Sequence, residues 1–191
     1  MFEPRSFETL VVGVGNTILS DDGVGVHAAR LLMSDPRVHP DIGILDGGTL
    51  GLELLAHIAD ASRILFLDAI RSGASPGTLV RLTGEELLDR KIGWSVHQLG
   101  VADLIAALTL MSDRNPEIVV LGLEPESTDW GTSLTPAVQS GLASLVDSAV
   151  SQLGIWEGRS DSPGSGRCNA EVSAIRSGCE YFDTHPRETR H

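Results

Sequence analysis

Residues 10–25 read LVVGVGNTILSDDGVG. A short apolar run ends in glycines, two adjacent carboxylates follow, and helical periodicity begins near residue 23. A strand-to-helix loop of this kind stands at the carboxyl edge of a parallel sheet, where open α/β folds keep their ligand crevice. Asp21 and Asp22 are thereby placed at the mouth of a site, beside a helix N-terminus. The loop is not a dinucleotide fingerprint. Gly13 and Gly15 match, but Ile18 stands where the third glycine should be, and two acids would repel a phosphate.

Outward from that stretch, the same alternation of strand-like and helix-like segments continues to about residue 153, the pattern of an α/β domain. Strands are expected at 10–14, 42–45, 64–67, 78–82 and 118–123, and helices at 23–33, 50–59, 85–90, 98–111 and 136–153. The last helix carries the strongest signals. Thr135 suits its N-cap, Pro136 its first turn, and Val138, Leu142, Leu145, Val146, Ala149 and Leu153 make one apolar stripe. Residues 1–153 thus read as one domain. Residues 154–191, rich in Gly, Ser and Arg and without periodicity, read as a polar, disordered tail.

Composition narrows the function. The net charge of −12, with Lys91 as the single lysine, argues against nucleic acid, which needs a basic footprint. Lys91 follows Arg90, so no Walker phosphate loop exists. Both cysteines, Cys168 and Cys179, lie in the tail, leaving the domain no thiol nucleophile or cysteine zinc site. No apolar run approaches the ~20 residues that cross a bilayer, and the N-terminus lacks a signal-peptide pattern. A cytoplasmic protein without membrane insertion is the natural expectation.

Topology decides which residues meet. Only nine residues, AIRSGASPG, separate Asp68 from Thr78. A parallel connection needs a crossover of about a dozen or more, so the fourth strand is expected to run antiparallel to the third. The chain then returns over the sheet before the helix at 98–111. On that path Asp22, Asp46, Asp68, His97, Glu124 and Glu126 all fall at the carboxyl edge.

Three of these come from separate segments and offer O, O and N donors: Asp22, Asp68 and His97. Such a set suits a borderline divalent metal (Ni, Zn, Mn or Fe) and leaves coordination positions open. Asp21 competes with Asp22 for the first position, or serves as an N-cap. Asp22 is favoured where the helix dipole stabilises its ionised form. Asp68 closes the apolar run ILFLDAI and is either a ligand or an acceptor for loop N–H groups. Asp46, followed by Gly47, Gly48 and Thr49, is a turn former or helix cap, and the paired glycines let a docking peptide come close. Gly73–Gly77 fits G-x-S-x-G, but a strand follows it and Pro76 lacks the N–H of an oxyanion hole.

Five pieces, GVGNTILSDDGVG (13–25), LDGGTLGLELL (45–55), FLDAI (66–70), HQLGVADLIAAL (97–108) and GLEPES with LTPAV (122–138), occur together and in order. In this combination the chain resembles the hydrogenase maturation proteases, endopeptidases that trim the C-terminal extension of the nickel–iron hydrogenase large subunit. The resemblance implies a three-layer fold, with a twisted, mostly parallel five-stranded sheet, one antiparallel strand and helices on both faces. It implies Asp22, Asp68 and His97 as the metal-contacting and catalytic positions, with Asp46 or Asp68 as the general base that activates water and Gly47, Gly48 and Thr49 near the substrate. The first acid is often Glu in relatives, so Asp22 is one methylene shorter.

By the same resemblance the enzyme holds no permanent cofactor. The nickel arrives with the substrate, the large-subunit precursor, and is probed before cleavage. A monomer suffices for that task. The rival expectation is a non-catalytic assembly chaperone that binds the nickel-loaded subunit without cutting it.

Overall fold

The computed structural model describes residues 7–89, 101–111 and 115–158. His97 and residues 159–191 lie outside them. Strand β1 (Thr9–Val14) leads through a 3₁₀ turn (Ser20–Gly23) into helix α1 (Val24–Leu32), and β2 (Gly43–Gly48) follows. After a second 3₁₀ turn (Gly51–Leu54) come α2 (Leu55–Ile58), β3 (Arg63–Ala69), β4 (Leu79–Thr83) and α3 (Gly84–Asp89). Helix α4 (Val101–Met111), β5 (Glu117–Leu123) and α5 (Pro136–Trp156) complete the described elements. None of the described helices is long and apolar enough to cross a membrane.

The strands form a five-stranded sheet in the order β2-β1-β3-β5-β4. β1 pairs in parallel with β2 and β3, β3 pairs in parallel with β5, and β4 pairs antiparallel to β5. The short 68–78 connection does reverse the chain, as its length requires. β5 nevertheless inserts between β3 and β4, so the reversed strand becomes an edge rather than a neighbour of β3.

Alternation along each strand sends successive side chains to opposite faces. Val11, Leu65, Leu67, Leu121 and Leu123 pack against α1 and α5, while Val12, Ile64, Phe66 and Val120 pack against α2, α3 and α4. Two continuous cores result, one on each side of the sheet. The glycines of the opening stretch allow the closest approach. A Cβ on Gly25 would lie 2.0 Å from the Leu67 carbonyl oxygen and 2.5 Å from that of Val14, so α1 rests directly on the backbones of β1 and β3. Gly25, eleven residues beyond the strand, performs the close helix-to-strand packing that a third fingerprint glycine would have provided.

Two local expectations change. The segment expected as one helix at 50–59 is a 3₁₀ turn followed by the single-turn α2, because Gly51 enters it at φ +55°. Helix α5 runs three residues past the expected end at 153, because Trp156 is buried against the α1–α5 core.

Candidate active site

The two adjacent acids have opposite fates. Asp21 is fully buried, and its carboxylate accepts four hydrogen bonds from the loop between β5 and α5. The donors are the Glu126 N–H (2.9 Å), the Ser127 N–H (3.0 Å), the Thr135 N–H (2.7 Å) and the Thr135 hydroxyl (2.9 Å). Asp21 is therefore a clasp between loops, not an N-cap. Thr135 stands at the N-cap of α5, but its hydroxyl serves Asp21 instead of the helix backbone.

Asp22 remains as the partly accessible acid of the pair. Its Oδ2 accepts the Asn16 N–H at 2.8 Å, which fixes the carboxylate over the loop 15–23. Gly15 makes that loop possible. Its φ of +121° belongs to glycine, and a Cβ there would fall 1.9 Å from the Asp22 carbonyl oxygen.

Asp68 lies in β3, one residue before its end, with Phe66 on the face covered by α2 and α4. Its Oδ1 accepts the N–H of Ala69 at 2.7 Å. Burial pushes this carboxyl up to about 8; the Ala69 N–H opposes the shift, and the negative charge of Asp22 adds to it. The two acids are thus electrostatically coupled across the sheet edge. At neutral pH burial, with a smaller contribution from the Asp22 charge, disfavours ionisation of Asp68.

Asp46 stands apart from this pair. It falls inside β2, which continues to Gly48, rather than at the strand's end. It shares a face with Ile44, on the side of α1, and its Oδ2 is held by Arg30 of α1 at 2.9 Å from Nε and 2.8 Å from the second guanidinium nitrogen. Gly47 and Gly48 close β2, Gly48 with φ +45°, and the Gly48 carbonyl accepts the Gly15 N–H at 3.0 Å. Thr49 follows, exposed beside the Asp22 loop.

Glu124 is buried for a structural reason: its Oε2 accepts the Ser72 N–H (2.6 Å), the Ser72 hydroxyl (2.7 Å) and the Ala74 N–H (3.2 Å), pinning the β3–β4 loop. Glu126 is exposed. Among the described residues no three His, Cys, Asp or Glu side chains converge as a metal site. His97, the third expected donor, lies outside those residues. The helix that follows it, α4, contacts the Gly51–Leu54 turn at the carboxyl edge and covers the face that bears Asp68.

This five-stranded mixed sheet with helices on both faces has counterparts among known proteins. Residues 26–152 match the family profile of the hydrogenase maturation proteases. The chain belongs to the hydrogenase maturation protease family. Among its relatives, the hydrogenase 2 maturation protease of Escherichia coli is 37% identical over 149 residues, 75% of this chain and 89% of that protein. The hydrogenase expression/formation protein HupD of Bradyrhizobium diazoefficiens is 36% identical over 151 residues, covering 77% and 78% of the two chains. In three dimensions the maturation protease resembles the hydrogenase maturating endopeptidase HybD from E. coli, with a TM-score of 0.70 and 34% identity over 78% of this chain and 94% of that one. The [NiFe] hydrogenase maturation protease HybD from Thermococcus kodakarensis gives 0.65 and 28% identity, over 76% and 99%.

Proposed function

We propose that this member of the family is the endopeptidase that removes the C-terminal extension of a nickel–iron hydrogenase large-subunit precursor, and that it acts after nickel insertion. The observation that carries the reading is the Asp22–Asp68 pair. Asp22, on the turn before α1, and Asp68, near the end of β3, lie close enough at one sheet edge for the charge of Asp22 to add to the burial that raises the Asp68 carboxyl.

Such a pair is suited to a cation that comes with the substrate. Nickel held by the precursor would relieve the repulsion between Asp22 and Asp68, with His97 as the nitrogen donor. The enzyme itself then needs no resident cofactor. Precursors lacking nickel bring nothing to offset that repulsion and dock weakly, so metal insertion is checked before cleavage.

For the hydrolytic step, Asp68 is a better proton acceptor than Asp46. Asp46 is already committed to Arg30 on the other face of the sheet. The extension passes Gly47, Gly48 and Thr49 at the end of edge strand β2, where the glycine turn admits a peptide backbone.

The test is processing of a nickel-loaded precursor followed by intact mass. Asp22→Ala, Asp68→Asn and His97→Ala are each expected to slow cleavage by ~100-fold or more. Full-rate processing by Asp22→Ala or His97→Ala would remove the metal-recognition reading.

A further inference from the structure

Trp130 and Ile18 are two large apolar side chains that the site loops leave in solvent, at 82% and 46% exposure. Scattered exposed apolar residues are ordinary on protein surfaces. These two differ in how they are held and where they stand. The Gly131 N–H donates to the Ile18 carbonyl at 3.0 Å, and the Ser20 N–H donates to the Gly131 carbonyl at 2.8 Å. Leu19 and Gly131 form a parallel bridge between the same two segments. The Ser20 hydroxyl donates to the Asp129 carbonyl at 3.0 Å, and the Asp21 clasp lies directly behind.

The indole is thus carried on a backbone tied at several points, so little loop freedom remains to be lost when a partner covers it. Rigid aromatic anchors of this kind dominate binding energy at protein interfaces. The position is equally specific. Ile18 lies four residues before Asp22 on one loop. On the far side of that loop, Leu50 and Leu52 are also exposed, and the Gly15–Gly48 hydrogen bond joins their segment to it. These exposed side chains therefore stand on the segments that are hydrogen-bonded to the loop bearing Asp22. The exposed carboxylates nearby, Glu53, Glu126 and Asp129, set the charge of the surroundings.

We propose that Trp130, supported by Ile18, is the anchor on which the folded body of the precursor seats while its extension enters the Asp22–Asp68 site. The matching surface on the precursor is apolar and ringed by lysine or arginine. This inference rests on the proposed function and specifies the contact through which that function selects its substrate.

Steady-state processing of the nickel-loaded large-subunit precursor from the same organism tests it. Trp130→Ala is expected to raise KM by about tenfold while kcat changes less than about twofold, and Trp130→Phe to recover most of the loss. Ile155→Ala, which removes a side chain 65% exposed at the far end of α5, is expected to leave KM as it is. Because Trp130 is exposed, both variants should melt with the wild type. Unchanged KM in Trp130→Ala, with wild type cutting normally, overturns the anchor and leaves the protease reading standing. Wild type that neither binds nor cuts the precursor overturns both. A wild-type dimer that Trp130→Ala converts to monomer, with KM unaltered, assigns the surface to self-association and also overturns the proposal.

Discussion

Asp21 and Thr135 stand 114 residues apart in the chain and are joined by two hydrogen bonds. The Thr135 N–H donates to Oδ1 at 2.7 Å and its hydroxyl donates to Oδ2 at 2.9 Å. With Glu126 and Ser127 donating to the same carboxylate, one buried side chain ties the loop that bears Asp22 to the N-terminus of α5.

Removing that carboxylate leaves several buried donors without partners, each costing about 1–3 kcal/mol. Asp21→Ala is expected to lose ~3 kcal/mol or more, a drop of roughly 6–12 °C in Tm for a domain of this size. Asp21→Asn is no rescue, because its amide N–H groups would face N–H and O–H donors. Thermal melts of the two variants check this. A melt of Asp21→Asn within about 2 °C of wild type would contradict the clasp.

The raised pKa of Asp68 gives stability a pH signature. A carboxyl pushed up to about 8 in the fold binds its proton more tightly there than in the unfolded chain. Its contribution is therefore most favourable at low pH and is lost as pH rises from about 4 through 8, by at most about 1.4 kcal/mol per unit. Urea titrations at pH 5, 7 and 9 should show wild type losing stability relative to Asp68→Asn as pH rises. Parallel pH profiles for the two proteins would place Asp68 in water with an ordinary pKa.

Gly25 tests the packing that brings α1 down onto the sheet. Both atoms that a Cβ would strike first are backbone oxygens, which have no rotamer to move. Gly25→Ala is expected to destabilise by about 3 kcal/mol or to prevent soluble folding, an overpacking effect at the upper end of its range. A wild-type melting curve for this variant would show that α1 sits farther from β1 and β3.

Most of the architecture was legible because period and spacing are local properties. The apolar runs near 10–14, 64–67 and 118–123 are too short for core helices, and the stripe on 136–153 repeats every three to four residues. Strand order was not legible. Nothing in residues 117–123 announces that they enter between β3 and β4, since that choice depends on two sheet edges competing for one strand.

The site divides along the same line. Asp22 was visible as an acid in the loop after the first strand and Asp68 as one closing the third, but Asp21 differs from Asp22 only in the direction in which a 3₁₀ turn points it. The partners that settle the matter, residues 126, 127 and 135, are more than a hundred positions away. The expected end of the second strand at Asp46 shifts for a related reason: the strand runs two residues beyond it, through Gly47 and Gly48, and glycines read as a strand's end. Trp130 carried no signal at all. Its exposure follows from the Ile18–Gly131 pairing, which only the folded chain shows.

The most direct test of the central claim compares nickel-loaded and nickel-free large-subunit precursor, each incubated with this protein and weighed intact. The account predicts loss of a C-terminal peptide from the nickel-loaded precursor alone. Equal cleavage of both forms would contradict recognition through nickel. Binding of the loaded form without any loss of mass would contradict the protease assignment and make the protein an assembly chaperone.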